Sequence, residues 1–191
     1  MPWPKDHKAR TRERIVGAAA DAFRARGVAD VRIEEIMAAA GLTHGGFYAH
    51  FASKEELLDA ALAHASEETI ARLSEPLATA GADERLRAVI DAYLSGEHVG
   101  HPEHGCPVAA LGPEVARGEG AAKRDLARGL KRRLAWMREL LPARRRGRDD
   151  DSELLGVFAC MIGGVILARL VPKKDAPAVL AACREFLHRS L

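Results

Sequence analysis

Several features that would commit a chain to a particular class are scarce in this one of 191 residues. Aromatic residues make up only 5%, and no run alternates β-branched with polar residues, so a sheet scaffold is not expected. The cysteines are three, Cys106, Cys160 and Cys183. An odd number without framework spacing argues against a disulfide-stapled secreted domain and for a reducing, cytoplasmic setting. Neither sign of charge is in excess. The net charge is +2, so any case for a nucleic-acid partner must come from local clustering. The start, Met1 to His7, has no apolar core, so no secretory signal is expected. No phosphate-binding glycine loop, no Ser-His-Asp order and no repeat of 20 to 50 residues is found. Catalytic residues, a metal and a cofactor are therefore not expected, and neither is a solenoid.

What remains is 48% hydrophobic and 29% charged, a globular balance, and it is patterned for helices throughout. Ile15, Ala18, Ala19, Ala22 and Phe23 make one apolar stripe, which Gly27 can terminate. Ile33, Ile36 and Met37 begin a short second helix ending before Gly41, and a third covers about His44 to His50. Ser53 with Glu56 has the capping-box spacing, ahead of Leu57, Leu58, Ala61, Leu62 and Ala65. The pattern loosens near Pro76 and Gly81. Asp83 then caps a helix faced by Leu86, Val89, Ile90, Tyr93 and Leu94, and His98 to Pro107 is a break. Leu126, Leu130, Leu134, Met137 and Leu141 form a further stripe. A charged loop runs from Arg144 to Asp151. Asp175 caps a last helix bearing Val179, Cys183, Phe186 and Leu187. The expectation is an all-α chain of about nine helices, with a first unit at 8–65 and a larger helical unit at 66–191.

One segment calls for a membrane check. Leu154 to Ala168 carries no charge, yet its 15 residues rise only about 22 Å as a helix, short of the ~30 Å hydrocarbon core. It also contains Gly156, Gly163 and Gly164. It reads as a helix buried in protein, and no membrane partner is expected.

The chemistry-bearing stretch is 31–58. Small residues Ala38 to Ala40 permit a close helix crossing, Gly41 can take the left-handed turn, and Leu42 can plug the corner. Thr43 is placed to cap the next helix. There Phe47 and Phe51, four apart, can pack inward, leaving His44, Gly45, Tyr48 and His50 outside. A helix so exposed can enter the major groove of duplex DNA with its N-terminal residues toward the base edges. Just upstream, Lys5, Lys8, Arg10, Arg12 and Arg14 against Asp6 and Glu13 leave a net +3 (five minus two), a phosphate-seeking arm.

The segment closely resembles the helix-turn-helix of TetR-family transcriptional regulators. The resemblance is carried by Ile33-x-x-Ile36, Ala40-Gly41-Leu42-Thr43, Gly46-Phe47-Tyr48-x-His50-Phe51 and Ser53-Lys54-Glu55-Glu56-Leu57. It implies a homodimer with two DNA-reading heads on a palindromic operator, a ligand-binding helical core, and repression relieved by an effector. The expected DNA-binding set is Arg32, Thr43, His44, Gly45, Gly46, Tyr48, His50 and Lys54. Tyr48 and Lys54 fall toward phosphate, His44 and Gly45 toward bases. Arg32 stands where the family often has Ser or Thr, and His44 where it often has Lys or Arg.

In the second unit, Gly105-Cys106-Pro107 places Cys106 at a helix N-cap, where backbone N–H groups can favour a thiolate. His98, His101 and His104 could add charge. Some TetR-like regulators that sense electrophiles carry a similar Gly-Cys step, so Cys106 is an effector or redox candidate. The alternation of His98, His101, His104 and Cys106 is not a standard zinc spacing. Tyr93, Trp136, Met137 and Met161 could line an effector cavity or be plain core. Cys160 and Cys183 read as buried, inert thiols. Phe158, Ile162, Gly163, Gly164 and Phe186 are the expected dimer contacts. The alternatives left open are an activator, a ligand-independent DNA-binding protein, and a thiol-dependent enzyme using Cys106.

Overall fold

The computed structural model describes residues 5–118, 120–142 and 150–191. Among these residues it is all-α, with nine α-helices, three short 3-10 segments and no strand. The first unit comprises α1 (Lys5–Arg26), α2 (Ile33–Ala39), a 3-10 segment His44–Ala49, and α3 (Lys54–Ser74). A 3-10 turn Glu75–Ala78 leads to α4 (Arg85–Tyr93), α5 (Gly96–Gly100), a 3-10 turn Pro102–His104, α6 (Pro107–Arg117), α7 (Ala121–Glu139), α8 (Asp150–Leu170) and α9 (Ala176–Ser190).

Two apolar cores account for the packing. One joins Ile15, Ala19 and Phe23 of α1, Ile36 and Met37 of α2, Phe47 and Phe51, and Leu57 to Ala65 of α3; Leu111 and Val115 of α6 complete it. The other gathers Leu73, α4, α7, α8 and α9 around Tyr93, Met137, Phe158 and Met161. α3 serves both. Its residues up to Ala65 face the first core and Leu73 faces the second, so the expected boundary at 65/66 falls inside a continuous helix.

Local signals explain most element ends. Gly27 and Gly41 take φ of 85° and 67°, which only glycine adopts without strain. Ser53 Oγ accepts the Glu56 N–H at 3.2 Å, while the Glu56 carboxylate accepts the Ala52 N–H at 2.8 Å. The capping box is therefore formed, with its return bond one residue earlier than usual. Asp175 occupies the N-cap of α9 but makes no side-chain capping bond.

Three expectations need correction. Lys8 to Arg14 are not an arm ahead of the first helix, because α1 already begins at Lys5. The helix expected from Asp83 starts at Arg85 instead. The apolar helix is longer than its uncharged stretch: α8 spans 21 residues, and Asp151–Leu170 is long and apolar enough, by length and composition, to cross a membrane. Nor is it buried all round, since only 39% of that window is buried within the chain. Most of the charged loop, at 143–149, lies outside the described residues.

Candidate functional site

The segment His44–Ala49 is the centre of the first unit's exposed face. It forms a 3-10 rather than an α-helix, a tight geometry suited to a short segment pinned at both ends. Phe47 and Phe51 anchor it, stacked at 5.9 Å and fully buried. Tyr48, between them, is 66% exposed and is braced edge-on by Phe47 at 5.2 Å and His44 at 6.4 Å. A side chain rigidified in this way meets a partner with little entropy left to lose. A Cβ built at Gly45 would meet nothing within 4 Å, and one at Gly46 would meet only Met37 Cε at 3.6 Å. Close backbone approach, not internal packing, is what glycine at 45 provides. Thr43 sits at the N-cap position with extended backbone, yet its hydroxyl makes no capping bond. The expected cap is absent, and the residue is exposed. Arg32 is exposed at the N-cap of α2.

Helix α1 adds the positive charge. Arg12 lies over the Phe51 ring at 4.6 Å. Burial, then Lys8, Arg12 and His7, lower the pKa of His50, which is therefore uncharged at neutral pH. Lys8 and Arg12, one turn apart, thus lie near His50 at the end of the reading segment. His44 Nε2 lies 3.4 Å from the Glu34 carboxylate, an acidic neighbour beside the reading segment.

Lys54 departs from expectation. Its Nζ donates to the Val28 and Val31 carbonyls, both at 2.6 Å, and lies 5.9 Å from the Phe23 ring. Glu114 of α6 takes the Val28 and Ala29 N–H groups of the same loop at 3.0 and 3.1 Å. Lys54 is therefore a staple for the α1–α2 loop and not a free phosphate contact.

Residues 15–61 match the family model described as bacterial regulatory proteins, tetR family. The HTH-type transcriptional regulator SrpR of Pseudomonas putida is 36% identical over 88 residues, 46% of this chain and 40% of SrpR. The HTH-type transcriptional regulator TtgR, also of P. putida, is 41% identical over 73 residues, 37% of this chain and 35% of TtgR. The chain thus matches less than half the length of either relative. A TetR transcriptional regulator from Chloroflexus aurantiacus superposes with a TM-score of 0.77 at 27% identity, covering 96% of both chains. The match to the tetR family is thus confined to residues 15–61, while the likeness in fold to a TetR regulator runs over nearly the whole chain. The first unit is similar to the helix-turn-helix of these regulators.

The second unit differs from expectation in several places. A cavity of about 470 Å³ opens between α3, α4 and the 95–104 segment, lined among others by Thr69, Arg72, Leu73, His98, His101 and His104. None of the expected effector residues lines it. Tyr93, Met137 and Met161 are in the core and Trp136 packs against it. Cys106 is at the N-cap of α6 with Pro107 following, as expected, but it is fully buried. Its N–H donates to His98 Nε2 at 3.1 Å, while His98 Nδ1 lies 2.6 Å from the Tyr93 carbonyl. With one ring nitrogen accepting and the other donating, His98 is held neutral. Burial lowers its pKa to about 4. It therefore brings no charge to the thiol. The selectivity expected among the cysteines is inverted: Cys106 is buried, whereas Cys160 and Cys183 are half-buried. Burial and then the neighbouring Cys183 raise the Cys160 pKa.

Sequence reasoning missed Arg24. This buried side chain of α1 donates to the Gly105 carbonyl at 3.1 Å, to Glu68 of α3 at 2.7 Å and to Asp21 at 3.0 Å. His104 adds a third potential metal donor beside Asp21 and Glu68, but the Arg24 guanidinium already occupies both carboxylates. Nothing in the local pattern marks Arg24, which simply follows Phe23 on the stripe.

The expected dimer contacts divide. Phe158 is core. A Cβ at Gly164 would come within 2.8 Å of Leu94 Cδ2 and 3.0 Å of Cys183 Sγ, so this glycine serves packing inside one chain. Gly163, one position before it, faces open space, Ile162 is half-buried, and Phe186 is 58% exposed.

Proposed function

We propose that the chain is a homodimeric, cytoplasmic transcriptional repressor that binds a palindromic operator and releases it when a small molecule enters the second unit. The observation that carries the reading is the face at 43–50. There an exposed, braced Tyr48 and an open Gly45 stand beside the basic first turns of α1, over a core that fixes their positions. The DNA-facing set is then Arg32, Thr43, His44, Gly45, Gly46, Tyr48 and His50, joined by Lys8 and Arg12. Dimerisation is supported by the apolar outer face of α8 and α9, where Leu155, Leu167, Leu170 and Phe186 are exposed. An effector is supported by the 470 Å³ cavity, whose wall includes the 95–104 segment that adjoins the Gly105 carbonyl held by Arg24.

The test is selection of bound duplexes from a random pool, followed by titration of the selected site. A protein neutralising about 6 to 10 phosphates should lose roughly 10³ to 10⁵ in affinity between about 50 and 200 mM salt. Enrichment of no palindrome, or a flat salt response, would refute the reading.

A further inference from the structure

Cys183 of α9 packs directly on the backbone of α8. A Cβ built at Gly164 would lie 3.0 Å from Cys183 Sγ and 3.3 Å from Cys183 Cβ. The Cβ atoms joined through a disulfide are about 3.5 to 4.5 Å apart, so at this level the two helices already run at the spacing a disulfide needs. Glycine permits that approach, since a side chain at 164 would push Cys183 outward. Cys160 precedes Gly164 by four residues, which places it one turn earlier on the same flank of α8. The two thiols interact: burial first, and then Cys183 through charge and a side-chain hydrogen bond, raise the Cys160 pKa.

Two of the chain's three cysteines therefore meet across a single helix seam. Both are half-buried and sit at the margin of the second core, whereas Cys106 is fully buried inside it. The seam opens outward near Cys160, because Leu167, seven residues further along the same flank, is exposed. A small oxidant can thus reach the pair without unfolding the chain. Susceptibility to oxidation follows access to the sulfur, and access separates this pair from Cys106.

We propose that Cys160 and Cys183 are a redox-active pair, which hydrogen peroxide converts into a disulfide within the chain, pinning α9 to α8. One thiol gives up its proton and its sulfur attacks the peroxide. The O–O bond breaks, leaving a sulfenic acid and a hydroxide, which takes up that proton to become water. The sulfur of the other thiol then attacks the sulfenic sulfur. The S–O bond breaks, and the departing hydroxide leaves with the second thiol's proton as another water. Two thiols and one peroxide thus give one disulfide and two waters; the sulfurs lose two electrons and the peroxide gains them. A thiol reductant reverses the step. The site is independent of the DNA-binding reading, and it acts on the two helices whose outer face the proposed homodimer uses.

The experiment uses the full chain. The folded protein is treated with hydrogen peroxide at mildly alkaline pH, with reduced glutathione oxidised in a parallel tube as the control. Free thiols are then blocked with N-ethylmaleimide in denaturant, and peptides are mapped by mass spectrometry with and without dithiothreitol. The peptides carrying Cys160 and Cys183 should be joined, two hydrogens lighter than their sum, on a chain that still migrates as a monomer in a non-reducing denaturing gel. Cys106 should carry the blocking group. The bond closes a loop of about two dozen residues, so the oxidised protein should melt about 5 to 10 °C higher and return to its starting value on reduction. Cys160→Ala and Cys183→Ala should each abolish the joined peptide and the melting shift, with the remaining thiol stopping at a sulfenic acid that dimedone captures. The wild-type map decides the matter even where a variant fails to fold. Both thiols left free under peroxide that oxidises the glutathione, oxidation confined to Cys106, or a link between two chains in place of the bond within one would each overturn the proposal.

Discussion

Arg24→Met removes the side chain that ties α1 to the second unit, and its cost can be worked bond by bond. The Asp21 carboxylate is 47% exposed and is rehydrated, so its loss costs close to nothing, at most about 1 kcal/mol. Glu68 is 30% exposed and keeps Arg72 at 2.9 Å, which holds its loss to about 1 to 2 kcal/mol instead of the 3 to 5 typical of a fully buried pair. The Gly105 carbonyl retains only the Thr69 hydroxyl at 3.4 Å, adding about 1 kcal/mol. The sum is about 2 to 4 kcal/mol, or roughly 5 to 15 °C in melting temperature for a chain of this size. Thermal unfolding followed by circular dichroism reads it directly. The penalty should depend on pH. Burial opposes ionisation of Glu68, but the hydrogen bond and charge of Arg24, with Arg72, outweigh it and lower the Glu68 pKa. A lowered carboxylate pKa gives stability that is present above the unfolded value and lost as pH falls through the folded one. The gap between wild type and variant should therefore narrow in acid. Arg24→Lys should rescue little, since a point charge cannot reach all three acceptors. A shift under about 2 °C, or full rescue by lysine, would refute the assignment.

Tyr48→Ala should weaken duplex binding without lowering the melting temperature, because the side chain is exposed; wild-type affinity by the variant would count against the reading face. Lys54→Met should do the reverse, lowering the melting temperature by stranding the Val28 and Val31 carbonyls while leaving the salt slope of duplex binding unchanged. Gly164→Ala should destabilise by about 1 to 3 kcal/mol through its contacts with Leu94 and Cys183, and Gly163→Ala should leave the stability of the single chain nearly untouched. His98, with a folded pKa of about 4 against 6.5, should make stability fall as pH drops from about 6.5 to 4, since only the unfolded chain gains the proton. That limb should be shallower in His98→Gln, measured by urea unfolding across the range.

The all-α class and most helices were legible because their apolar residues recur at helical spacing and their ends carry Gly, Ser or Pro. The reading segment was legible for the same reason. Phe47 and Phe51 are four apart, and whatever lies between them must face out. Lys54 was misjudged because a lysine in the first turn of a helix looks alike whether it reaches solvent or a neighbouring carbonyl; only the fold of the Val28–Val31 loop decides. Cys106 was placed correctly at a helix start, but an N-cap position says nothing about burial, which His98 and Tyr93 impose from eight to thirteen residues away. Arg133, buried on α7, left a signal that could have been used. Leu126, Leu130, Arg133 and Met137 are spaced four, three and four apart, so a charged residue stands on the inward stripe of α7.

The outer face of α8 follows from the same spacing logic applied to a single helix. Leu154, Val157, Phe158, Met161, Val165 and Ala168 are buried against the rest of the chain, so one side of the helix is already committed to the second core. Leu155, Leu167 and Leu170 emerge on the other side, and Phe186 of α9 is exposed as well. A membrane crossing would expose the first set to lipid only by dismantling the core they build, along with the packing of Gly164 on Leu94 and Cys183. Leaving the outer face in water would keep these four large apolar side chains exposed on two adjacent helices. The homodimer proposed above would cover it with a second copy of the same pair of helices, without disturbing anything inside. Because α9 packs along α8, two such pairs related by a two-fold axis would place like faces together, the isologous arrangement that closes at two subunits. In such a dimer the open space at Gly163 would allow the two α8 helices a close approach.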